Sequence, residues 1–85
     1  MFEIKYSNQS NKFLKKTNKV LLIRLVKKIE EIRNQPVIHD TKTIDGYEEK
    51  LFRVRVGDYR ILYEVDYEKN EIGIVKIDKR SKVYE

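Results

Sequence analysis

Residues 51–65 read Leu51-Phe52-Arg53-Val54-Arg55-Val56-Gly57-Asp58-Tyr59-Arg60-Ile61-Leu62-Tyr63-Glu64-Val65. Phe52, Val54 and Val56 alternate with Arg53 and Arg55, the period of two that a half-buried strand imposes. Gly57-Asp58 suits a two-residue hairpin turn, with Gly supplying positive φ. Taken literally, that turn pairs Val56 with Tyr59, Arg55 with Arg60, Val54 with Ile61 and Phe52 with Tyr63. Directly opposed residues share a sheet face. Phe52, Val54, Val56, Tyr59, Ile61 and Tyr63 therefore form an apolar face, and Arg53, Arg55 and Arg60 project from the other.

The flanking chain supplies what that apolar face must pack against. Tyr59 to Tyr67 is the returning strand, Glu68-Lys69-Asn70 a second turn, and Glu71 to Ile77 a third strand. Upstream, Phe2, Ile4 and Tyr6 alternate with Glu3 and Lys5 as a further strand. Ser7-Asn8 offers an N-cap for a short helix over 8–16, with Phe13 and Leu14 as its packing residues. From Asn18 to Asn34 the three- and four-residue spacing of Leu22, Leu25, Val26, Ile29 and Ile32 gives a longer amphipathic helix. Asn34-Gln35-Pro36 stops it, and residues 36–48 read as a connecting loop. The expected fold is a single α+β domain over residues 1–85. An N-terminal strand and a helical hairpin precede an antiparallel three-strand meander, with the helices packed on one face of the sheet.

Composition narrows the chemistry. Among 85 residues, 19 Lys and Arg against 14 Asp and Glu leave a net charge of +5, which favours polyanionic partners such as nucleic acid or an acidic protein. There is no Cys, so neither a disulfide framework nor a Cys-based zinc site is available. His39 is the one histidine and reads as a surface loop residue, which excludes a two-histidine ribonuclease mechanism. Glu48, Glu49 and Asp66 lack ligand spacing, so no metal or other cofactor is expected. The opening Met1–Tyr6 has no long apolar run, so the expectation is a cytoplasmic protein with no signal peptide and no membrane span.

Two cationic groups carry the functional reading. Arg55 opposite Arg60 is a like-charge cross-strand pair, destabilising by a few tenths to about 1 kcal/mol. An anionic ligand would relieve it, and the guanidinium fork binds phosphate through two hydrogen bonds. The second group, Lys76, Lys79, Arg80 and Lys82 followed by Tyr84, comes straight after the last strand, and a meander returns it toward the first hairpin. A groove lined by both suits RNA, whose 2′-hydroxyl can attack the adjacent phosphorus and leave a 2′,3′-cyclic phosphate. Such an enzyme need only align the attack, move protons and stabilise the anionic transition state.

The stretch 51–65, Ile44-Asp45-Gly46-Tyr47 before it, the helical hairpin ending at Pro36 and the ending Lys79-Arg80-Ser81-Lys82-Val83-Tyr84 together resemble the RelE/ParE superfamily of type II toxin–antitoxin toxins. The closest likeness is to RelE-type mRNA interferases. That resemblance implies a ribosome-dependent endoribonuclease that cuts mRNA in the A site and inhibits translation. It also implies a RelB-like, acidic antitoxin that wraps and blocks the toxin. It casts Arg60 and Arg80 as binders of the scissile phosphate, Arg80 also as donor to the leaving oxygen, and Tyr84 as a stacking partner for a substrate base. Arg53, Arg55, Lys50, Lys79 and Lys82 become phosphate contacts. Known relatives carry lysines where this chain has Arg53 and Arg55. Arginine, with a pKa above about 12, is a poor base, so the proton acceptor is left open among Lys50, Lys79, Lys82 and ribosomal RNA. The alternatives are a ParE-type inhibitor of DNA gyrase and a non-catalytic RNA- or antitoxin-binding module.

Overall fold

A computed structural model describes residues 1–36, 42–43 and 51–79. The elements in chain order are β1 (Glu3–Tyr6), α1 (Asn8–Lys16), α2 (Lys19–Asn34), β2 (Lys42–Thr43), β3 (Leu51–Val56), β4 (Tyr59–Asp66) and β5 (Glu71–Lys79). They form one five-stranded sheet in the order β1-β5-β4-β3-β2. The β3-β4-β5 meander is antiparallel. β1 lies parallel to β5, and β2 adds a short antiparallel edge to β3.

The hairpin register is the one its turn dictates: Phe52↔Tyr63, Val54↔Ile61, Arg55↔Arg60 and Val56↔Tyr59. Gly57 sits at φ +59°, a conformation that costs other residues roughly 1–2 kcal/mol. The helix side of the sheet buries Phe52, Val54, Val56, Ile61, Tyr63, Ile72, Ile74 and Ile77 against Leu21, Leu25, Ile29 and Ile32 of α2. Phe13, Leu14 and Tyr59 pack at its margin. The buried stripe of α2 is rotated from the expected one: Leu21 is in the core, Leu22 half-buried and Val26 exposed. A ridge at positions 21, 25, 29 and 32 follows the 3.6-residue period, and Val26 falls off its edge. Tyr63 is fully buried and stacks on Phe52 with ring centroids 5.6 Å apart. Its hydroxyl donates to the Pro36 carbonyl, which ties the end of α2 to the middle of the sheet.

Three features lay beyond the sequence pattern. The first is β2, a two-residue strand inside the stretch expected to be loop. The second is the parallel seat of β1 on β5. The third is a register shift at Leu62/Tyr63, where Leu62 faces Lys76 and Tyr63 faces Ile74. Val75 is the extra residue of this bulge. Without it, the alternation of Ile72 and Ile74 would carry Lys76 into the core. With it, Ile77 turns inward, and β5 continues two residues past the expected end, to Lys79.

The bulged half of β5 runs beyond the reach of β1, and α1 covers the exposed backbone there. Ser7 caps α1, accepting from the Ser10 amide, and its hydroxyl donates to the Val75 carbonyl at 2.7 Å. The buried Ser10 hydroxyl donates to the Ile74 carbonyl at 3.1 Å. Gln9 acts as a substitute peptide: its Nε2 donates to the Ile77 carbonyl at 2.6 Å, and its Oε1 accepts from the Ile77 amide at 2.9 Å. These side chains satisfy backbone groups that would otherwise form an open sheet edge. They also fix the strand that leads to the C-terminal basic segment.

Candidate nucleic-acid interface

The pleat sorts the charged residues into two faces. Arg53, Arg55 and Arg60 share the side of the β3–β4 ladder that faces away from α1 and α2, with Arg55 and Arg60 directly opposed. Arg55 is exposed, while Arg53 and Arg60 are half-buried. Immediately flanking a two-residue turn, the Val56–Tyr59 pair closes the ladder. Arg55 and Arg60 then form the next pair, whose Cα atoms approach to about 4.5 Å in a non-hydrogen-bonded geometry. Backbone pairing in the hairpin register therefore sets the two arginines side by side.

Their neighbours complete the face. The bulge turns Lys76 outward, opposite Leu62, and Asp78 lies opposite Arg60. The Asp78 carboxylate accepts from the Lys79 amide at 2.8 Å. Leu51 and Leu62 form a second buried cluster, separate from the main core, and the register puts both on the arginine side. The expected arginine face thus also holds Lys76, Asp78 and Glu64 and a small apolar patch that the sequence reading did not include. Signals for Leu62 existed in the run Ile61-Leu62-Tyr63, three apolar residues where alternation allows two. The outward turn of Lys76 and Asp78 had no sequence signal, because it depends on the bulge.

Lys79 departs from the expected grouping. It pairs with Tyr59, so the pleat sends it to the helix side, away from Arg53, Arg55 and Arg60. Lys50, Arg80, Lys82 and Tyr84 lie outside the described residues, as does His39. Arg24 is an addition: its guanidinium lies against the hairpin turn, where a Cβ on Gly57 would come within 2.9 Å of its Nη2. Among the described residues, no three His, Cys, Asp or Glu side chains come together as a metal-binding group. No described helix is long and apolar enough to cross a membrane.

Charge is polarised along the sheet. The hairpin end carries Arg55, Arg60 and Lys79, with Arg24 at the turn, against Asp58 of the turn and Asp78. The other end has a shallow concavity lined by Glu64, Asp66, Glu68 and Glu71, with Lys5 and Lys69. Such separation orients a polyanion onto one end and repels it from the other. A row of guanidinium forks at that end can bind a phosphodiester through charge-assisted hydrogen bonds.

Comparison with known proteins gives the chain its relatives. A family model described as the ParE toxin of type II toxin–antitoxin systems, parDE, matches residues 4–84. The archaeal RelE–RelB complex from Pyrococcus horikoshii is similar, with TM-score 0.82 and 27% identity over 95% of this chain and 97% of that one. The RelB–RelE antitoxin–toxin complex from Methanococcus jannaschii is 28% identical over 95% of each chain, with TM-score 0.73. The isolated RelE toxin of E. coli shares the fold, with TM-score 0.81 and 24% identity over 99% of this chain and 92% of that one. No functionally curated protein is significantly similar in sequence. A chain whose whole meander matches this model and these folds belongs to the ParE toxin family of type II toxin–antitoxin systems, within the RelE/ParE superfamily.

Proposed function

We propose that the chain is a ribosome-dependent endoribonuclease that cuts mRNA in the A site and thereby stops translation. The observation that carries this reading is the row of Arg53, Arg55 and Arg60 on one sheet face, with Arg55 and Arg60 held opposite one another by the hairpin register. Like charges directly opposed across a strand pair are mildly destabilising, and a bound phosphate relieves them.

In this reading Arg60 grips the scissile phosphate, with Arg53 and Arg55 on the non-bridging oxygens and neighbouring phosphates. The 2′-oxygen forms a bond to phosphorus as its proton leaves. The bond from phosphorus to the 5′-oxygen breaks, and that oxygen takes up a proton. The upstream fragment ends in a 2′,3′-cyclic phosphate and the downstream fragment in a 5′-hydroxyl. Arg80 serves as donor to the departing oxygen, and Tyr84 stacks on a base. Lys50 and Lys82 supply further phosphate contacts. The reading draws its acceptor for the 2′-hydroxyl proton from Lys50, Lys82 or ribosomal RNA, since Lys79 sits on the helix side of the sheet. A cationic transition-state clamp is worth several kcal/mol where water is excluded.

The partner in the cell is a cognate antitoxin with acidic and apolar segments. This rests on the charge of the exposed face and on the antitoxin complexes formed by the similar toxins of Pyrococcus and Methanococcus.

A reconstituted translation reaction tests the proposal. Ribosome-bound mRNA is cleaved by the wild-type chain, and supercoiling by DNA gyrase is unaffected. The ParE family match over residues 4–84 favours one competing reading, inhibition of gyrase. Intact mRNA together with arrested supercoiling would establish that reading instead.

A further inference from the structure

The helix side of the hairpin end holds a second surface that the reading above does not use. An open groove runs between the end of α1, the α1–α2 junction and the start of β4. It is lined by Lys12, Phe13, Lys16, Thr17, Asn18 and Tyr59. Phe13 and Tyr59 meet edge to face along its floor, with centroids 5.7 Å apart and an interplanar angle of 64°. Lys79 stands opposite Tyr59 in the ladder, on the same face of the sheet.

Folding does not call for these lysines. Lys12 and Lys16 stand four residues apart on α1, so they share a face and repel one another mildly. Residues 8–16 contain three lysines and no acidic residue. Lys16 gains a little from the C-terminal end of the helix dipole, but Lys12 stands a turn earlier. Lys12, Lys16 and Lys79 are exposed, and none makes an ion pair among the described residues. A cationic groove with an aromatic floor is complementary to an RNA backbone, whose phosphates pair with lysine and whose sugars and bases pack on rings.

We infer that this groove docks ribosomal RNA, as a second surface separate from the arginine face. The inference rests on the proposed function, in which the arginine face is taken by mRNA. Arg60 and Tyr59 are adjacent in sequence but project from opposite faces of β4. A short mRNA segment on the arginine side therefore does not fill the groove, and the RNA met there is the ribosome's own. The cations of the two surfaces converge on the hairpin end, while the acidic concavity lies at the far end. The chain thus presents one end to RNA on both sides.

The test measures binding of the purified chain to vacant ribosomes, without mRNA, across a salt series. K12A/K16A is compared with K5A/K69A, which removes the same charge from the acidic end. We expect K12A/K16A to weaken binding at least tenfold and to flatten the salt dependence by about 1.4 in log–log slope, the release expected from two single-stranded phosphate contacts. K5A/K69A should match wild type. K12Q/K16Q, which keeps long polar stems, should behave as K12A/K16A does. Equal losses in K12A/K16A and K5A/K69A would reduce the effect to net charge and overturn the inference. So would unchanged affinity and slope in K12A/K16A, or a defect confined to binding of an acidic protein partner. Cleavage of ribosome-bound mRNA by the wild-type chain, assayed in parallel, separates the two claims. Lysine-dependent docking without cleavage defeats the nuclease reading alone. Cleavage with lysine-independent docking defeats this inference alone. A wild-type chain that does not bind ribosomes defeats both.

Discussion

Replacing Arg55 with Gln should make the free protein more stable and its RNA binding weaker. The hairpin register holds Arg55 opposite Arg60, and Gln keeps a polar stem of similar length while removing the charge. If the two guanidinium groups splay to about 8 Å, their repulsion runs from about 0.5 kcal/mol in bulk water to about 2 kcal/mol at an effective dielectric of 20. Arg55 is exposed, so the lower figure governs. It agrees with the few tenths to about 1 kcal/mol typical of cross-strand charge pairs. A gain of about 0.5 kcal/mol raises Tm by roughly 2–4 °C in a domain of this size. The assay is thermal and urea unfolding of Arg55→Gln against wild type at low ionic strength and again at 1 M salt. There the screening length falls to about 3 Å and the advantage should vanish. The same variant should lose about 0.7 in the salt slope of RNA binding, one phosphate contact. A less stable Arg55→Gln protein, or a gain indifferent to salt, would refute the reasoning that this pair is strained for the sake of a ligand.

Arg60→Ala should weaken binding to ribosome-bound mRNA by about 1.5–3 kcal/mol, the worth of a hydrogen bond to a charged group; equilibrium titration reads it. Arg80→Ala should abolish growth arrest on induction while leaving the melting curve in place, because the proposed mechanism gives Arg80 a role at the departing oxygen. Full toxicity would remove Arg80 from the mechanism. Gln9→Ala strands the amide and carbonyl of Ile77, which Gln9 satisfies at 2.9 and 2.6 Å. At a half-buried site that should cost about 1–3 kcal/mol. It should also speed exchange of the Ile77 amide, measured by hydrogen–deuterium exchange, relative to amides of α2.

The sequence carried the hairpin because every local signal agreed there. The alternation of Phe52, Val54 and Val56 with Arg53 and Arg55 set the faces. Gly57-Asp58 set the register, and the register alone juxtaposes Arg55 and Arg60. The helices were legible from Ser7, Asn18 and Pro36. On α2 the core residues Leu25, Ile29 and Ile32 were legible, but Leu22 and Val26 were read as core in place of Leu21, because all three are equally apolar. What could not be read was non-local. The seat of β1 beside β5, the short β2 and the bulge at Val75 all depend on pairing between distant strands. The bulge decides that Lys76 and Asp78 join the arginine face. Continuation of β5 through Lys79 places that lysine on the helix side with Tyr59, where an unbroken basic tail in the sequence had suggested one cluster. The groove beside Lys12 and Lys16 was invisible for the same reason: it forms only when α1 lies across the end of the sheet.

The most direct test of the central claim is the chemistry of the cut ends. Ribosomes programmed with a defined mRNA are incubated with the wild-type chain and with Arg60→Ala, and the RNA termini are determined. The account predicts cleavage within the A-site codon by wild type, leaving a 2′,3′-cyclic phosphate on the upstream fragment and a 5′-hydroxyl on the downstream one, and little cleavage by Arg60→Ala. Intact mRNA with the wild-type chain, or equal cleavage by Arg60→Ala, would contradict it.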